Sequence, residues 1–334
     1  MIKNTEAAVL YETNSDLVVE NLNLAAPGPK EVFVQMGAAG VCHSDVHVIS
    51  GQANQIMPCV LGHEGAGLVT SIGKEVINVS VGDHVVLSWL PYCGKCYQCV
   101  RGKTHLCKAY QTPVGNGTLL DGSCRFSNLE GPVRQLGSLG CWSENVVVPE
   151  VCCVPVDKSI PFEIAALLGC AVTTGVGAVL NRAKVQNGET VVVIGAGGVG
   201  LSVVMAAKLI GASQVICIDQ NISARNLAIE LGATDFLVSK QNEDISKKLM
   251  ELTGVGADHV FEAVGKRELQ SDAIDYCCSG GTVTFVGLDS EDATINLKTT
   301  AITRAEKTIS GSIYGSACTH RDFALYGEKF LEGK

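Results

Sequence analysis

Positive charge is scarce in this sequence. Its 25 lysines and arginines face 34 aspartates and glutamates, a net charge of −9 over 334 residues. That balance excludes a non-specific grip on nucleic acid or on an anionic membrane. Low-complexity tracts and internal repeats are missing as well, which excludes a solenoid or repeat array. The start, MIKNTEAAVLY, lacks the order of a secretory signal and reads as the first strand of a soluble fold. Cysteines number 15, too few for a small disulfide scaffold and odd in count. The expectation is a reducing cytoplasm, where clustered cysteines more often mean metal than disulfides. A clean membrane span is also lacking. Thr190–Ala207 is uncharged, but it contains GAGGVG and Asp219 follows closely. It reads as a buried strand followed by a buried helix.

What is present is a 46% hydrophobic composition with 37 glycines, enough to bury a core, at a length that suggests about two domains. Two textures alternate. Up to about residue 170, short β-branched segments such as 31–36, 65–73 and 82–89 lie among many turns, predicting a mainly-β, mostly antiparallel, barrel-like domain. From about 172 to 311, strands at 190–195, 214–219, 235–239, 258–265 and 282–287 alternate with helices at 201–211, 223–232, 244–254 and 267–277. That alternation predicts α/β units around a parallel sheet. A helical stretch at about 320–331 ends the chain.

Gly195, Gly197 and Gly200 form G-x-G-x-x-G between a strand and a helix, with Gly198 and Val199 inside the pattern. The glycines permit a tight turn, close approach of a pyrophosphate and close strand–helix packing, and the helix start offers free N–H groups. Asp219 ends the next strand, 19 residues after Gly200. Its carboxylate suits ribose hydroxyls and repels a 2′-phosphate, which favours NAD over NADP. Arg225 leaves three readings open: tolerance of a 2′-phosphate, a partner at the ribose edge, or a solvated cation. Val264 and Val286, near the ends of later strands, complete the expected cofactor contacts.

Cys93, Cys96, Cys99 and Cys107 are spaced C-x2-C-x2-C-x7-C. Four thiolates at that spacing can close a tetrahedron around a structural zinc; an iron–sulfur cluster, a redox cysteine cluster and unrelated free thiols are the alternatives. Elsewhere GVCHSDVHVISG, GHEGAG and GCAVTTG carry Cys42, His43, Ser44, Asp45, His47, His63, Glu64 and Cys170. Spacing alone does not join these three segments, and on the residues alone buried thiols and structural histidines are the readier account.

Taken with GHEGAGLV, DGSCRF, GAGGVG and GSIYG in order along the chain, these segments resemble the zinc-dependent alcohol dehydrogenases of the medium-chain dehydrogenase/reductase superfamily, from about residue 5 to about 330. The resemblance implies a GroES-like catalytic domain (1–171, zinc lobe about 91–110), a Rossmann domain (172–312) and a cofactor cleft between them. It implies a C-terminal segment (313–334) that begins a return to the first domain and stops short of the relatives' length. Cys42, His63 and Cys170 become ligands of a catalytic zinc. Glu64 stands behind the metal, Asp45 orients His63, and Ser44 and His47 carry the alcohol proton away. His43 contacts the pyrophosphate, and Thr174 and Val199 flank the nicotinamide. The expected enzyme oxidises primary aliphatic or aromatic alcohols with NAD, as a homodimer or tetramer. S-(hydroxymethyl)glutathione dehydrogenase is the alternative substrate class. Against it, residues 51–59 contain no acid where class III members carry an acidic pair, the stretch is a residue shorter, and His47 replaces an aromatic residue. A non-catalytic zinc- and nucleotide-binding protein is the third reading. Trp89 and Trp142 are left between an apolar substrate channel and core packing.

Overall fold

The computed structural model describes residues 3–240 and 244–334. The first two residues of the expected opening strand lie outside that range. The chain forms two units, one running to Cys170 and taking back Cys318–Lys334, the other Ala171–Ala317.

Among the described residues of the first unit there are ten strands: Lys3–Leu10 (β1), Val18–Leu24 (β2), Glu31–Ala39 (β3), Cys59–Val60 (β4), Gly65–Ile72 (β5), His84–Leu87 (β6), Phe126–Asn128 (β7), Gly131–Gln135 (β8), Asn145–Pro149 (β9) and Cys153–Val156 (β10). Strands β1-β2-β7-β8-β4 close into a barrel, and β10-β6-β5-β3-β9 form an antiparallel sheet. The one parallel pair in the barrel is β4 with β8. Val9, Leu24, Val34, Val69, Val85, Phe126 and Val147 share one buried cluster. Each such side chain contributes about 1.5–3 kcal/mol by leaving water. Strand β6 starts later than the alternation at 82–89 predicts. Gly82 adopts a φ of +91°, and Asp83 closes a turn by accepting the Ser80 N–H at 2.8 Å.

The DGSCRF segment has a clear structural role. Arg125 donates to both carboxylate oxygens of Glu31, at 2.8 and 2.6 Å, and one of those oxygens also accepts the Gly28 N–H at 2.7 Å. This half-buried pair ties the loop after the zinc lobe to the start of β3. Three helices, His43–Ile49 (α1), Gln111–Gly115 (α2) and Phe162–Leu168 (α3), connect the strands of this unit.

The second unit holds Thr190–Ile194 (β11), Gln214–Asp219 (β12), Asp235–Val238 (β13), Ala257–Glu262 (β14), Cys277–Phe285 (β15) and Thr308–Gly311 (β16). Helices Ala171–Gly177 (α4), Gly198–Ile210 (α5), Arg225–Leu231 (α6), Ile245–Thr253 (α7), Arg267–Tyr276 (α8) and Thr299–Arg304 (α9) accompany them. The strand order is β13-β12-β11-β14-β15-β16, all pairs parallel. That is the doubly wound arrangement with its switch point beside β11. Val191–Val193, Ile216, Cys217, Val260 and Phe261 are fully buried, as strands covered on both faces must be. The uncharged stretch 190–207 thus resolves into β11, a glycine turn and most of α5. No single helix among the described residues is long and apolar enough to cross a membrane.

Strand β15 differs from the expected 282–287. It starts directly after α8, and its register against β14 slips between Ala257↔Cys277 and His259↔Thr282. The regular apolar alternation therefore covers only its second half. The last helix, Thr319–Leu331 (α10), returns to the first unit and packs on β10 and α3. Its start is capped by Asp322, which accepts the Cys318 N–H at 2.9 Å, and Phe323 and Tyr326 are buried beneath it.

Two candidate metal centres and a nucleotide cavity

The first centre is organised by Asp45, which is fully buried. A carboxylate without water needs donors, and Asp45 has three. The Cys42 N–H reaches Oδ2 at 3.0 Å, and the Gly62 N–H reaches Oδ1 at 3.1 Å. His63 Nδ1 donates to the same Oδ1 at 3.1 Å. The bond occupies Nδ1 and leaves Nε2 of His63 for a metal, with the ring held in orientation. Cys42 sits at the N-cap of α1, His63 and Glu64 immediately precede β5, and Cys170 follows α3. One ligand atom from each of Cys42, His63, Glu64 and Cys170 lies within 4.8 Å of all the others.

The electrostatics fit a cation. A hydrogen bond with Cys170 outweighs burial and, with His63, holds the Cys42 thiol down at about 3. Burial of His63 is outweighed by the hydrogen bonds with Asp45 and Cys42, which hold its ring at about 10. Burial pushes the Glu64 carboxyl up to about 7. Two thiols, an oriented imidazole and a carboxyl, all at least partly buried, are a donor set suited to zinc. Asp45→Asn keeps the volume but loses an acceptor. It is expected to weaken metal binding at this centre by about 10–100-fold, read by competition with a chromogenic chelator.

Ser44 Oγ lies 3.7 Å from Cys42 Sγ. His47 follows one turn later on α1, its ring edge-on to that of His43 at 5.0 Å between centroids. Trp89 stands edge-on to His63 at 6.2 Å, beside the centre. Trp142 differs: its Nε1 donates to the Gly40 carbonyl at 2.9 Å, and it packs against the small core of Leu10, Val48, Cys59 and Leu61.

The second centre is local. One sulfur each from Cys93, Cys96, Cys99 and Cys107 lies within 4.8 Å of the others, with Cys96 Sγ 3.5 Å from that of Cys99 and 3.9 Å from that of Cys107. The segment's regular structure is two single 3-10 turns, Cys99–Arg101 and Thr104–Leu106, while Tyr97 and Val100 are exposed. Four sulfurs from so short a segment fit a closed tetrahedral zinc site.

In the second unit the glycine turn joins β11 to α5. A Cβ on Gly200 would collide with the Gly195 carbonyl oxygen, and Gly195 has a φ of +102°, so both positions require glycine. Asp219 Oδ2 accepts the Ala196 N–H at 2.7 Å and Oδ1 accepts the Asn221 N–H at 2.8 Å. A cavity of about 260 Å³ opens here. Of the expected residues, Gly195, Asp219 and Val264 line it. Gly197, Gly198, Val199 and Gly200 form the turn and the start of α5. Thr174 lies on α4, which packs on α5. Val286 is buried after β15, and Arg225 opens α6 in an exposed position; neither lines the cavity.

Sequence reasoning missed Gln220, Ser239, Lys266, Glu268, Leu269 and Tyr276 in the lining. Gln220 and Ser239 directly follow the carboxyl ends of β12 and β13, where ligands of such sheets bind, so a signal was available for those two.

Residues 28–158 match the alcohol dehydrogenase GroES-like domain, and residues 198–330 match the zinc-binding dehydrogenase family. An S-(hydroxymethyl)glutathione dehydrogenase of Saccharomyces cerevisiae is 40% identical over 319 residues, covering 93% of this chain and 81% of the relative. An alcohol dehydrogenase class-3 of Dictyostelium discoideum is 34% identical over 335 residues, covering 98% and 88%. The crystal structure of benzyl alcohol dehydrogenase from Acinetobacter calcoaceticus superposes with a TM-score of 0.94 at 32% identity, covering 99% of this chain and 90% of that one.

Proposed function

The chain belongs to the zinc-dependent alcohol dehydrogenases of the medium-chain superfamily, and on that premise we propose that it oxidises primary aliphatic or aromatic alcohols to aldehydes with NAD. The observation that carries this reading is the convergence of Cys42, His63, Glu64 and Cys170 around one point, backed by a buried carboxylate on His63. In the proposal Cys42, His63 and Cys170 hold the catalytic zinc, and Cys93, Cys96, Cys99 and Cys107 the structural one. When bound, the catalytic zinc supplies Lewis-acid polarisation of the alcohol or carbonyl oxygen, and the nicotinamide supplies the hydride acceptor.

The chain's own residues do the rest. Asp45 keeps Nε2 of His63 aimed at the metal. Ser44 Oγ accepts the hydroxyl proton of the alcohol as it gives up its own, and His47, half-buried on the same helix, is the residue that releases the proton to solvent at the end of the relay. Glu64 stands among the ligands as an exchangeable carboxylate. His43 contacts the pyrophosphate, Thr174 and Val199 flank the nicotinamide, and Val286 is a further cofactor contact. Each Asp219 oxygen accepts one backbone N–H and retains a lone pair for a ribose hydroxyl. Its charge repels a 2′-phosphate, which supports NAD. The fifteen cysteines, none of them in a disulfide, suit a reducing cytoplasm, and the resemblance to the family is the ground for a homodimer.

His47→Ala is expected to lower turnover at neutral pH by about a hundredfold, with part of the rate restored by added imidazole. An unchanged rate at every pH would remove His47 from the relay.

A second reading, oxidation of S-(hydroxymethyl)glutathione, is favoured by the 40% identity to the S-(hydroxymethyl)glutathione dehydrogenase of Saccharomyces cerevisiae. Against it stands the acid-free stretch with Gln52, Asn54 and Gln55, which offers nothing to hold the adduct's ammonium group. An alcohol panel run with and without glutathione, and formaldehyde with glutathione, decides between them. Simple alcohols are expected to react at rates glutathione does not alter. Turnover confined to the glutathione adduct would establish the second reading.

A further inference from the structure

One buried acid in the second unit has no part in the chemistry above. Glu262 ends β14 with no exposed surface. Its Oε1 accepts the N–H groups of both Val264 and Gly265, each at 2.8 Å. The loop it holds joins β14 to α8 and supplies Val264 and Lys266 to the lining of the 260 Å³ cavity. The same loop is tied to β11 by the Ala263 N–H, which donates to the Ile194 carbonyl at 2.9 Å. A Cβ on Gly195 would meet Val264 Cγ2 at 2.7 Å, so the Val264 side chain rests on the glycine turn. Val264 is nevertheless 41% exposed, an apolar side chain held open toward the cavity.

A surface loop normally gives its N–H groups to water. Here two successive groups converge on one carboxylate oxygen, which bends the loop inward and fixes where Val264 stands. We propose that Glu262 is a positioning residue for the nucleotide: its carboxylate clamps residues 263–266 into the shape that makes Val264 and Lys266 a wall of the cofactor cavity. This rests on the NAD-binding reading above. Burial pushes the Glu262 carboxyl up, against the backbone N–H groups that hold it down. An uncharged acceptor of the same shape can therefore stand in for it. Glutamine keeps the accepting oxygen, alanine removes it, and aspartate keeps the charge but falls one methylene short of the loop.

The test uses the full chain with both zincs, in the wild type and as Glu262→Ala, Glu262→Gln and Glu262→Asp. Without nucleotide, hydrogen exchange at the Val264 and Gly265 amides is expected to speed up about tenfold or more in E262A and E262D and to stay near wild type in E262Q. NADH affinity, read by fluorescence titration, is expected to fall about tenfold in E262A and E262D and to remain within about threefold in E262Q. The KM for alcohol at saturating NAD should not move in any of them. If E262A does not fold, E262D carries the comparison. Unchanged exchange and affinity in E262D, or glutamine as damaging as alanine, would overturn the proposal. A wild-type chain that binds no NADH overturns the NAD reading instead, and the exchange rates, which need no nucleotide, still report whether the clamp exists.

Discussion

Cys42→Ser is expected to reduce kcat/KM for alcohol by at least about a thousandfold, because the several kcal/mol of Lewis-acid stabilisation at the reacting oxygen depend on the metal staying in place. Zinc should fall from two to one per chain. Serine is a demanding choice because it changes so little else. Cys42 occupies the N-cap of α1 in an extended conformation, where serine is at least as good a cap. The Cys42 N–H can keep its bond to Asp45, so the helix and the orientation of His63 should survive. What is lost is a sulfur whose hydrogen bonds with Cys170 and His63 favour the thiolate. A serine hydroxyl stays protonated at neutral pH and is a poor zinc ligand. Zinc analysis with circular dichroism checks the result. Two zincs per chain and near-normal turnover would place the catalytic metal elsewhere.

Cys99→Ser is expected to have the largest effect on stability. Residues 93–107 have two single 3-10 turns, and their most buried positions are the ligands Cys99 and Cys107 themselves. Little apolar burial is available to offset the entropy of ordering that backbone, roughly 1–2 kcal/mol per residue. In such a segment metal binding is the folding energy, about 10–16 kcal/mol for structural zinc in small peptides. Losing one thiolate should open the lobe to proteolysis between Cys93 and Cys107 and release one zinc. If about 3 kcal/mol of that coupling reaches the whole unit, Tm should drop by roughly 6–12 °C. Residual alcohol oxidation at low temperature is expected, since this site closes on four protein ligands. A lobe that stays protease-resistant with one zinc lost would mean that its order comes from contacts other than the metal.

These two centres were legible in the sequence to different degrees, for a physical reason. The tetrathiolate lies within fifteen residues, so spacing alone reports its geometry. The glycine turn is equally local: strand, turn and helix are contiguous, and the collision at Gly200 follows from that contiguity. The catalytic centre draws Cys42, His63 and Cys170 from three distant segments, and no periodicity links them. Only the resemblance to a known family did so, while the structure supplied the physical bond, Asp45 shared among Cys42, Gly62 and His63.

Other residues carried no readable signal. Tyr276 reaches the cavity from the end of α8, a position set by how that helix packs. Glu262 sits in FEAVG as an ordinary acid after a strand, and only the folded loop shows two N–H groups turned onto it. Trp142 was ambiguous for the opposite reason. An aromatic side chain suits a channel and a core equally well, and its bond to the Gly40 carbonyl ties it into packing.

The most direct test is isotopic. Incubate the zinc-loaded chain with NAD and a primary alcohol, benzyl alcohol for example, deuterated at the carbinol carbon, and follow the mass of the nicotinamide product. Direct hydride transfer predicts that one deuterium appears in NADH for each aldehyde formed, that Cys42→Ser abolishes the transfer, and that glutathione does not alter it. NADH formed without the label, or no transfer from any simple alcohol by the zinc-replete chain, would contradict the account.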